Sequence, residues 1–418
     1  MLKRISVEHL TTGMYIYEMC GPWLSHPFWR RSFLMTNPVD LQRLRQSSVK
    51  EVWIDPRRGK DVPPTVRCVV WDPAQGSAPD ASVEAARTVV QLADLDTAPT
   101  TLGKELHQAK KLCEQSREAM VDMFSEARMG KAISMEMAES MVNEITGSVM
   151  RNPDALLSVA RLKTADNYTY MHSVAVSGLM VALARKLRLD DAMVHRAGMA
   201  GLLHDLGKAH MDPHILNKPG KLTDEEFEHM KAHPRAGYEV LRGSDGVDAE
   251  VLDACLHHHE RLDGLGYPDK LSGEQISLLS RMTAICDVYD AITSNRPYKN
   301  GWPPAESLRR MAEWTGTHLD KRLFETFVKT VGIYPVGSLV RLRSGRLGVV
   351  SEPSAKSLIS PRVVVFYCTE KQSIINPQLI DLTQSKSERI VGQEDPANWP
   401  FTNLDALWHK GATATAGA

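Results

Sequence analysis

The spacing of apolar residues changes character twice along this chain, and the changes divide it. Up to about residue 71, short alternating runs predict strands over Met14 to Met19 and Val49 to Asp55, with a short helix over Pro38 to Gln46 between them. Asp72-Pro-Ala-Gln-Gly-Ser-Ala-Pro-Asp80 has the composition of a linker. Beyond it the apolar period lengthens to three and four. Helices are predicted over Ser82 to Asp94, Leu102 to Met129, Met135 to Val149, Ala155 to Leu162, Val174 to Ala184, Met193 to Leu203 and Glu225 to Leu241. No sustained alternation interrupts this patterning before Val331. Alternation then returns over Gly337 to Leu342, Leu347 to Val350 and Arg362 to Tyr367, separated by turn residues. After Asp381 the chain is polar, and Gly411 to Ala418 reads as a disordered tail.

These periods predict a multi-domain, mainly α protein. An all-α helical domain over 151–335 is expected to follow a small α/β domain over 1–71 and a linker with connecting helices over 72–150. A small β unit over 336–385 and a largely irregular tail over 386–418 complete it. Within Leu102 to Met129, the residues Leu102, Leu106, Ala109, Leu112, Met120, Met123 and Phe124 form one stripe. Such a stripe packs inside the chain, or it forms the seam of a homodimer through these N-terminal helices; Ser116 at its middle weakens the seam. The aromatic stretch Gly21 to Trp29 favours a plug on a small core over a ligand pocket.

Composition narrows the classes of function. A chain of 418 residues exceeds one ordinary core. Its 50 Lys and Arg against 51 Asp and Glu give a net charge of −1, which excludes nucleic-acid polymer or membrane binding driven by overall charge. The six cysteines, at 20, 68, 113, 255, 286 and 368, form no Cys-x-x-Cys pair, so neither a zinc ribbon nor a disulfide framework is expected. A reducing cytoplasm fits that pattern. No targeting segment opens the chain, and the apolar run Val174 to Ala184 is too short for membrane insertion.

Chemistry concentrates in the helical region, where ten of the 15 histidines fall between His172 and His259. His204 and Asp205 stand side by side after an apolar run, with Gly207 as a helix stop. Adjacent helical side chains diverge by roughly 100°, so this pair cannot chelate one ion from one face. It can serve two neighbouring ions if the carboxylate bridges them. Alone, such a pair is more often a core histidine beside a capping aspartate, so its companions decide. His233, the run His257-His258-His259-Glu260, and Asp287 in an otherwise apolar helix are those companions. An unpaired buried aspartate is costly, and a cation offsets the cost. Imidazole and carboxylate without thiolate suit iron, manganese or zinc, and a set this large suits two ions. Two such ions acidify a bridging water and clamp an in-line phosphoryl displacement, which points to phosphoester hydrolysis.

The ordered stretches His204-Asp-Leu-Gly-Lys208, Ile215 to Thr223, His233-Pro-Arg-Ala-Gly237, His258 to Pro268 and Asp287 to Tyr298 resemble the HD-GYP family. This branch of the HD metal-dependent phosphohydrolases has characterised members that hydrolyse cyclic di-GMP. The resemblance covers roughly Ala155 to Val331. Gly13 to Tyr17 with Gly21 to Phe28 resembles a domain of unknown role that often precedes it, and not a receiver, PAS or diguanylate cyclase module.

The resemblance implies roles for matching positions. His172, His204, Asp205 and Asp287 would hold one metal, and Asp205 as bridge with His233, His258 and His259 the other. His257 falls outside that set, and Glu260 orients a histidine or braces the loop. Tyr168 stands where some members carry a glutamate for a third metal, so two ions, iron or manganese, are expected. Lys208 matches a lysine beside the scissile phosphate, where it stabilises developing charge. Arg296 and Lys299 suit the remote phosphodiester on charge grounds and match substrate-binding positions. Gly266 and Tyr267 belong to a loop that approaches a base or phosphate. Asp166 and Asp290 are weaker substrate contacts, with local hydrogen bonding the alternative. The expected activity is that of a cytoplasmic bacterial cyclic di-GMP phosphodiesterase yielding pGpG, with onward cleavage to GMP open. The alternatives are a non-catalytic cyclic di-GMP sensor and an HD hydrolase of another nucleotide.

Overall fold

The computed structural model describes residues 2–20, 32–47, 49–63, 66, 68–71, 97–161, 168–295, 301–354, 356–401, 404 and 407. The aromatic stretch Gly21 to Trp29, the expected linker, the helix expected over Ser82 to Asp94 and the expected disordered tail lie outside these residues. The chain divides into two compact units, 1–91 and 92–418.

The first unit is one antiparallel sheet with a helix. Its elements are β1 (Leu2–Ser6), β2 (Tyr15–Met19), β3 (Phe33–Leu34), α1 (Pro38–Gln46), β4 (Glu51–Ile54) and β5 (Val69–Trp71), with sheet order β3-β2-β4-β1-β5. Asn37 caps α1 by accepting the Val39 N–H, and Pro38 opens it at no cost because that N–H has no helical partner. Ile5, Ile16, Val52 and Ile54 face Met14, Met35 and Leu44 in a closed core.

In the second unit, α2 (Leu102–Arg128), α3 (Met135–Arg151), α4 (Pro153–Arg161), α5 (Tyr168–Lys186) and α6 (Asp191–Leu203) come first. Then follow α7 (Pro213–Leu216), α8 (Asp224–Met230), α9 (His233–Arg242), α10 (Ala249–His257), α11 (Leu278–Thr293), α12 (Pro304–Glu313) and α13 (Lys321–Val331). Helix α5 lies at the centre, buried on every side from Met171 to Ala184, which explains its weak amphipathic pattern. The apolar stripe of α2 is covered inside the chain by α3, α4 and α5, with Ser116 buried among them, so self-association is not what buries it. Glu105 of α2, fully buried, meets Arg151 of α3 at 2.8 Å and Ser148 at 2.8 Å.

Close backbone approaches set where the helices cross. A Cβ at Gly201 of α6 would stand 2.8 Å from the Ser177 backbone of α5, and one at Gly198 would stand 2.6 Å from Val142. Only glycine permits that α5–α6 distance, which brings His172 and the end of α6 together. The helix expected over Glu225 to Leu241 is two helices. Pro234, at the start of α9, lacks the N–H that a continuous helix would need there.

Strands β6 (Leu339–Leu342), β7 (Arg346–Glu352), β8 (Arg362–Cys368), β9 (Ser373–Asp381) and β10 (Ile390–Gln393) form an antiparallel sheet ordered β10-β6-β7-β8-β9. Strand β9 lies within the expected β unit, whereas β10 is a strand where irregular chain was expected. Both are edges of the sheet; β9 is mostly exposed and so needs no alternating apolar face, and β10 is half-buried, with Ile390 against the core.

Candidate metal centre

Each histidine of the centre is aimed by the atom behind it. His204 ends α6, and its Nδ1 lies 2.8 Å from the Gly201 carbonyl. His233 opens α9 with Nδ1 at 2.7 Å from the Met230 carbonyl, and His258 ends α10 with Nδ1 at 2.8 Å from the Cys255 carbonyl. All three use the carbonyl three residues back. His172, inside α5, places Nδ1 2.6 Å from Asp290 Oδ2. A carbonyl or carboxylate only accepts, so Nδ1 donates in all four, and in His204, His233 and His258 Nε2 presents its lone pair.

Those lone pairs converge on two carboxylates. Asp205 Oδ2 lies 3.5 Å from Nε2 of both His172 and His204, while its Oδ1 lies 3.3 Å from His233 and 3.9 Å from His258 Nε2. Asp287 Oδ1 stands 3.0 Å from His172 and 3.9 Å from His204, and its Oδ2 is 3.9 Å from His259 Nδ1. His233 and His258 bring Nε2 to within 3.4 Å of each other. Three groups of donors therefore lie within ion-binding reach: His172, His204 and Asp287; His204, Asp205 and His258; and His233, His258 and His259.

The arrangement fits divalent cations on its own chemistry. Lone pair faces lone pair between His233 and His258, and lone pair faces carboxylate oxygen around Asp205; without a cation both are repulsive. His204 Nε2 and Asp205 Oδ1 are buried with no hydrogen-bond partner. Protonation keeps all but one of the shifted groups ready for metal. Burial holds His204 and His258 below the usual imidazole range, His258 well below, with its histidine neighbours adding to the effect. Burial and then His233 take His259 to about 3. For His172, Asp287 and Asp290 outweigh burial and raise the pKa. Burial pushes Asp205 and Asp287 up, yet Lys208 and His204 for the first, and His172 for the second, hold both well below the carboxylate range.

Glycine again fixes the geometry. Gly207 lies in the short 3-10 turn Leu206–His210, where a Cβ would come 1.9 Å from the His233 carbonyl and 2.4 Å from the Gly237 amide nitrogen. Expected as a helix stop, Gly207 instead lets the Asp205 segment cross the first turn of α9. That crossing puts Asp205 against His233. Lys208, one residue on, places Nζ 2.5 Å from Asp205 Oδ2.

The seven residues expected as ligands are brought together. His257 points elsewhere, with its ring nitrogens 2.7 Å from Asp253 and 3.1 Å from Asp269. Glu260 braces the following loop by accepting the Asp269 N–H at 2.7 Å. Tyr267 lies over His259, ring centroids 4.8 Å apart. Gly266 is buried, and a Cβ there would stand 2.5 Å from the Glu260 Cα, so loop packing is what demands glycine.

Asp290 takes up the local hydrogen bonding that was the alternative to a substrate contact. It is one turn from Asp287 on α11, and the two carboxylates grip opposite nitrogens of the His172 ring. Asp166, Arg296, Lys299 and the Tyr168 side chain lie outside the described residues. The carbonyls behind His204, His233 and His258 escaped sequence reasoning, since no side chain marks them; the only signal was each histidine's place at a helix end.

Comparison with known proteins gives the family. Residues 136–323 match the HD domain, and residues 2–138 match a domain of unknown function, DUF3391. The chain is 53% identical over 412 residues to a cyclic di-GMP phosphodiesterase of Pseudomonas aeruginosa, covering 98% of this chain and 96% of that one. It is 37% identical over 207 residues to the cyclic di-GMP phosphodiesterase response regulator RpfG of Xanthomonas campestris, covering 49% and 54%. A 3'3'-cGAMP-specific phosphodiesterase of Vibrio cholerae is 36% identical over 176 residues, covering 42% and 41%. Among the described residues no helix is long and apolar enough to cross a membrane. With an HD domain, a buried histidine and aspartate cluster, and a match along nearly its whole length, this chain belongs to the HD-GYP family and is an HD-domain phosphodiesterase.

Proposed function

We propose that this chain hydrolyses cyclic di-GMP to the linear dinucleotide pGpG at a centre of two divalent ions, iron or manganese, in the bacterial cytoplasm. One observation carries the dinuclear reading: Asp205 turns one oxygen toward His172 and His204 and the other toward His233 and His258. His172, His204 and Asp287 would hold one ion, and His233, His258 and His259 the other, with Asp205 shared. Bound there, such ions supply Lewis acidity and a water acidified to neutral pH.

The chain's own residues do the rest. Most of the donor set is buried, which keeps competing water and stray hydrogen-bond partners away from the reacting phosphate. Lys208 is partly exposed beside Asp205, where its ammonium meets negative charge developing on the phosphoryl oxygens. Arg296 and Lys299 carry the charge suited to the second phosphodiester. The relative's printed activity, at 53% identity, supports the substrate.

The test is product analysis with protein purified under reducing conditions and loaded with iron or manganese. Cyclic di-GMP is expected to yield pGpG, with His204→Ala and Asp205→Ala inactive. Tight binding without product in either metal state overturns the enzyme reading for this ligand in favour of a sensor. The relative specific for 3'3'-cGAMP makes that dinucleotide the comparison substrate, and faster turnover of it reassigns the site.

A further inference from the structure

Among the described residues, His259 is the most exposed of the donors, followed by Asp287 at 11%. His172, His204, His233, His258 and Asp205 have side chains 0–3% exposed, whereas His259 is 24% and Lys208 22% exposed. His259 is thus the donor most open to an arriving substrate, and Tyr267 lies against its ring. Next to Tyr267 stands Lys231, its Nζ 5.8 Å from the Tyr267 ring centroid and 4.8 Å from that of Phe227. Lys231 is also 2.6 Å from Glu228.

Phe227 is out of place for folding. It is 46% exposed, and α8, which carries it, has no buried residue at all. Its helix is held instead by a capping box at Thr223 and Glu226 and by the Lys218–Glu226 ion pair. A single exposed ring is ordinary in itself; what sets Phe227 apart is that the same Lys231 ammonium lies over its ring and over that of Tyr267, beside His259.

We propose that Phe227, Glu228, Lys231 and Tyr267 form a guanine subsite at the mouth of the centre, with Phe227 and Tyr267 as stacking faces and the Lys231–Glu228 pair reading the base edge. This rests on the nucleotide reading above. Purines stack on aromatic side chains. Guanine offers acceptors at O6 and N7, which an ammonium reads, and donors at N1 and N2, which a carboxylate reads. Adenine places an amino donor where guanine has O6 and an acceptor at N1, so the same pair opposes it. The ion pair is exposed, with Lys231 29% and Glu228 69% accessible, so it opens to a base at little cost.

Binding of GMP and AMP to the full-length, metal-loaded protein tests this directly, because the two share a phosphate and differ only in the base. Phe227→Ala is expected to weaken both by about tenfold, and Phe227→Trp to restore them. Lys231→Met and Glu228→Gln are each expected to weaken GMP about tenfold while sparing AMP, which removes the preference for guanine. In turnover of cyclic di-GMP, Phe227→Ala is expected to place the larger share of its loss in KM rather than kcat. Unchanged GMP affinity in Phe227→Ala, or equal losses of GMP and AMP in Lys231→Met, overturns the subsite. Wild-type protein that shows this binding pattern but cleaves no cyclic dinucleotide overturns the proposed function and leaves the subsite standing. Turnover without the binding pattern does the reverse.

Discussion

Helices α6 and α8 both lead into histidines of the metal centre, and they are built in opposite ways. α6 buries Val194, Ala197, Met199, Leu202 and Leu203, with Gly198 and Gly201 pressed against α3 and α5, and it ends at His204. α8 ends three residues before His233 and buries nothing. The first is positioned by packing, the second by its cap and one ion pair. The difference separates two tasks. Ligands that must keep lone pairs aligned sit on helices whose crossings cannot shift, while the side facing arriving substrate is left open and polar.

The largest expected effect attacks the point where the packed side converges. Asp205→Asn removes the charge whose one oxygen faces His172 and His204 and whose other faces His233 and His258. Turnover is expected to fall at least about 1000-fold, roughly 4 kcal/mol in the barrier. Metal analysis should show both ions depleted rather than one; retention of one full equivalent would break the reading of Asp205 as shared.

Gly207→Ala comes next. Its Cβ would stand 1.9 Å from the His233 carbonyl, backbone against backbone, so the turn and α9 must separate. A loss of about 3 kcal/mol or more in denaturant unfolding is expected. Gly246→Ala, where no atom lies within 4 Å but φ is +86°, costs only about 1 kcal/mol of backbone strain. Similar losses at the two sites would show that crossing distance is not what Gly207 protects.

The histidine and aspartate cluster was legible in the sequence because the HD-GYP resemblance marks its positions, and coordination chemistry gives a reason for so many of these residue types to gather. The helices were legible where one face is apolar. What was not legible is which partner a residue faces. Asp287 and Asp290 are both aspartates one turn apart, and only the fold shows one beside the ligands and the other behind His172. Gly207 as a helix stop failed for the same reason, since the constraint comes from α9, distant in sequence. Edge strand β9 carried no alternation because water covers most of it, and four-residue β10 is too short to show a period.

Asp290→Asn sharpens that distinction. The amide keeps the shape and its oxygen can still accept from His172 Nδ1, but the charge that makes the ring a better donor is gone. Metal affinity at the His172 group is expected to fall about 10-fold to 100-fold, with stability nearly unchanged. A selective rise in cyclic di-GMP KM with normal metal content would return Asp290 to substrate binding.

The packed side also has a pH signature, at Asp154 in the first turn of α4. Burial, then Glu352, raises its pKa from 3.8 to about 6. The folded state therefore holds this proton more tightly than the unfolded chain, so the contribution is full below about pH 4 and is lost as pH rises through about 6. Asp154→Asn should be stabilising at pH 7 relative to pH 4 by about 1 kcal/mol, allowing for solvent screening of this half-buried group. Equal effects at both pH values would remove the group from the titration.

The smallest global effect is expected on the open side. Thr223 accepts the Glu226 N–H and Glu226 returns to the Thr223 N–H, so Thr223→Ala removes half of the box that holds α8. The local cost is about 1 kcal/mol. Because α8 shares no core with the rest, this should raise amide exchange within Asp224–Met230 about fivefold without moving the global melting temperature. A matching drop in global stability would show that α8 unfolds together with α6 and α9, and the division between a packed side and an open side would fail there.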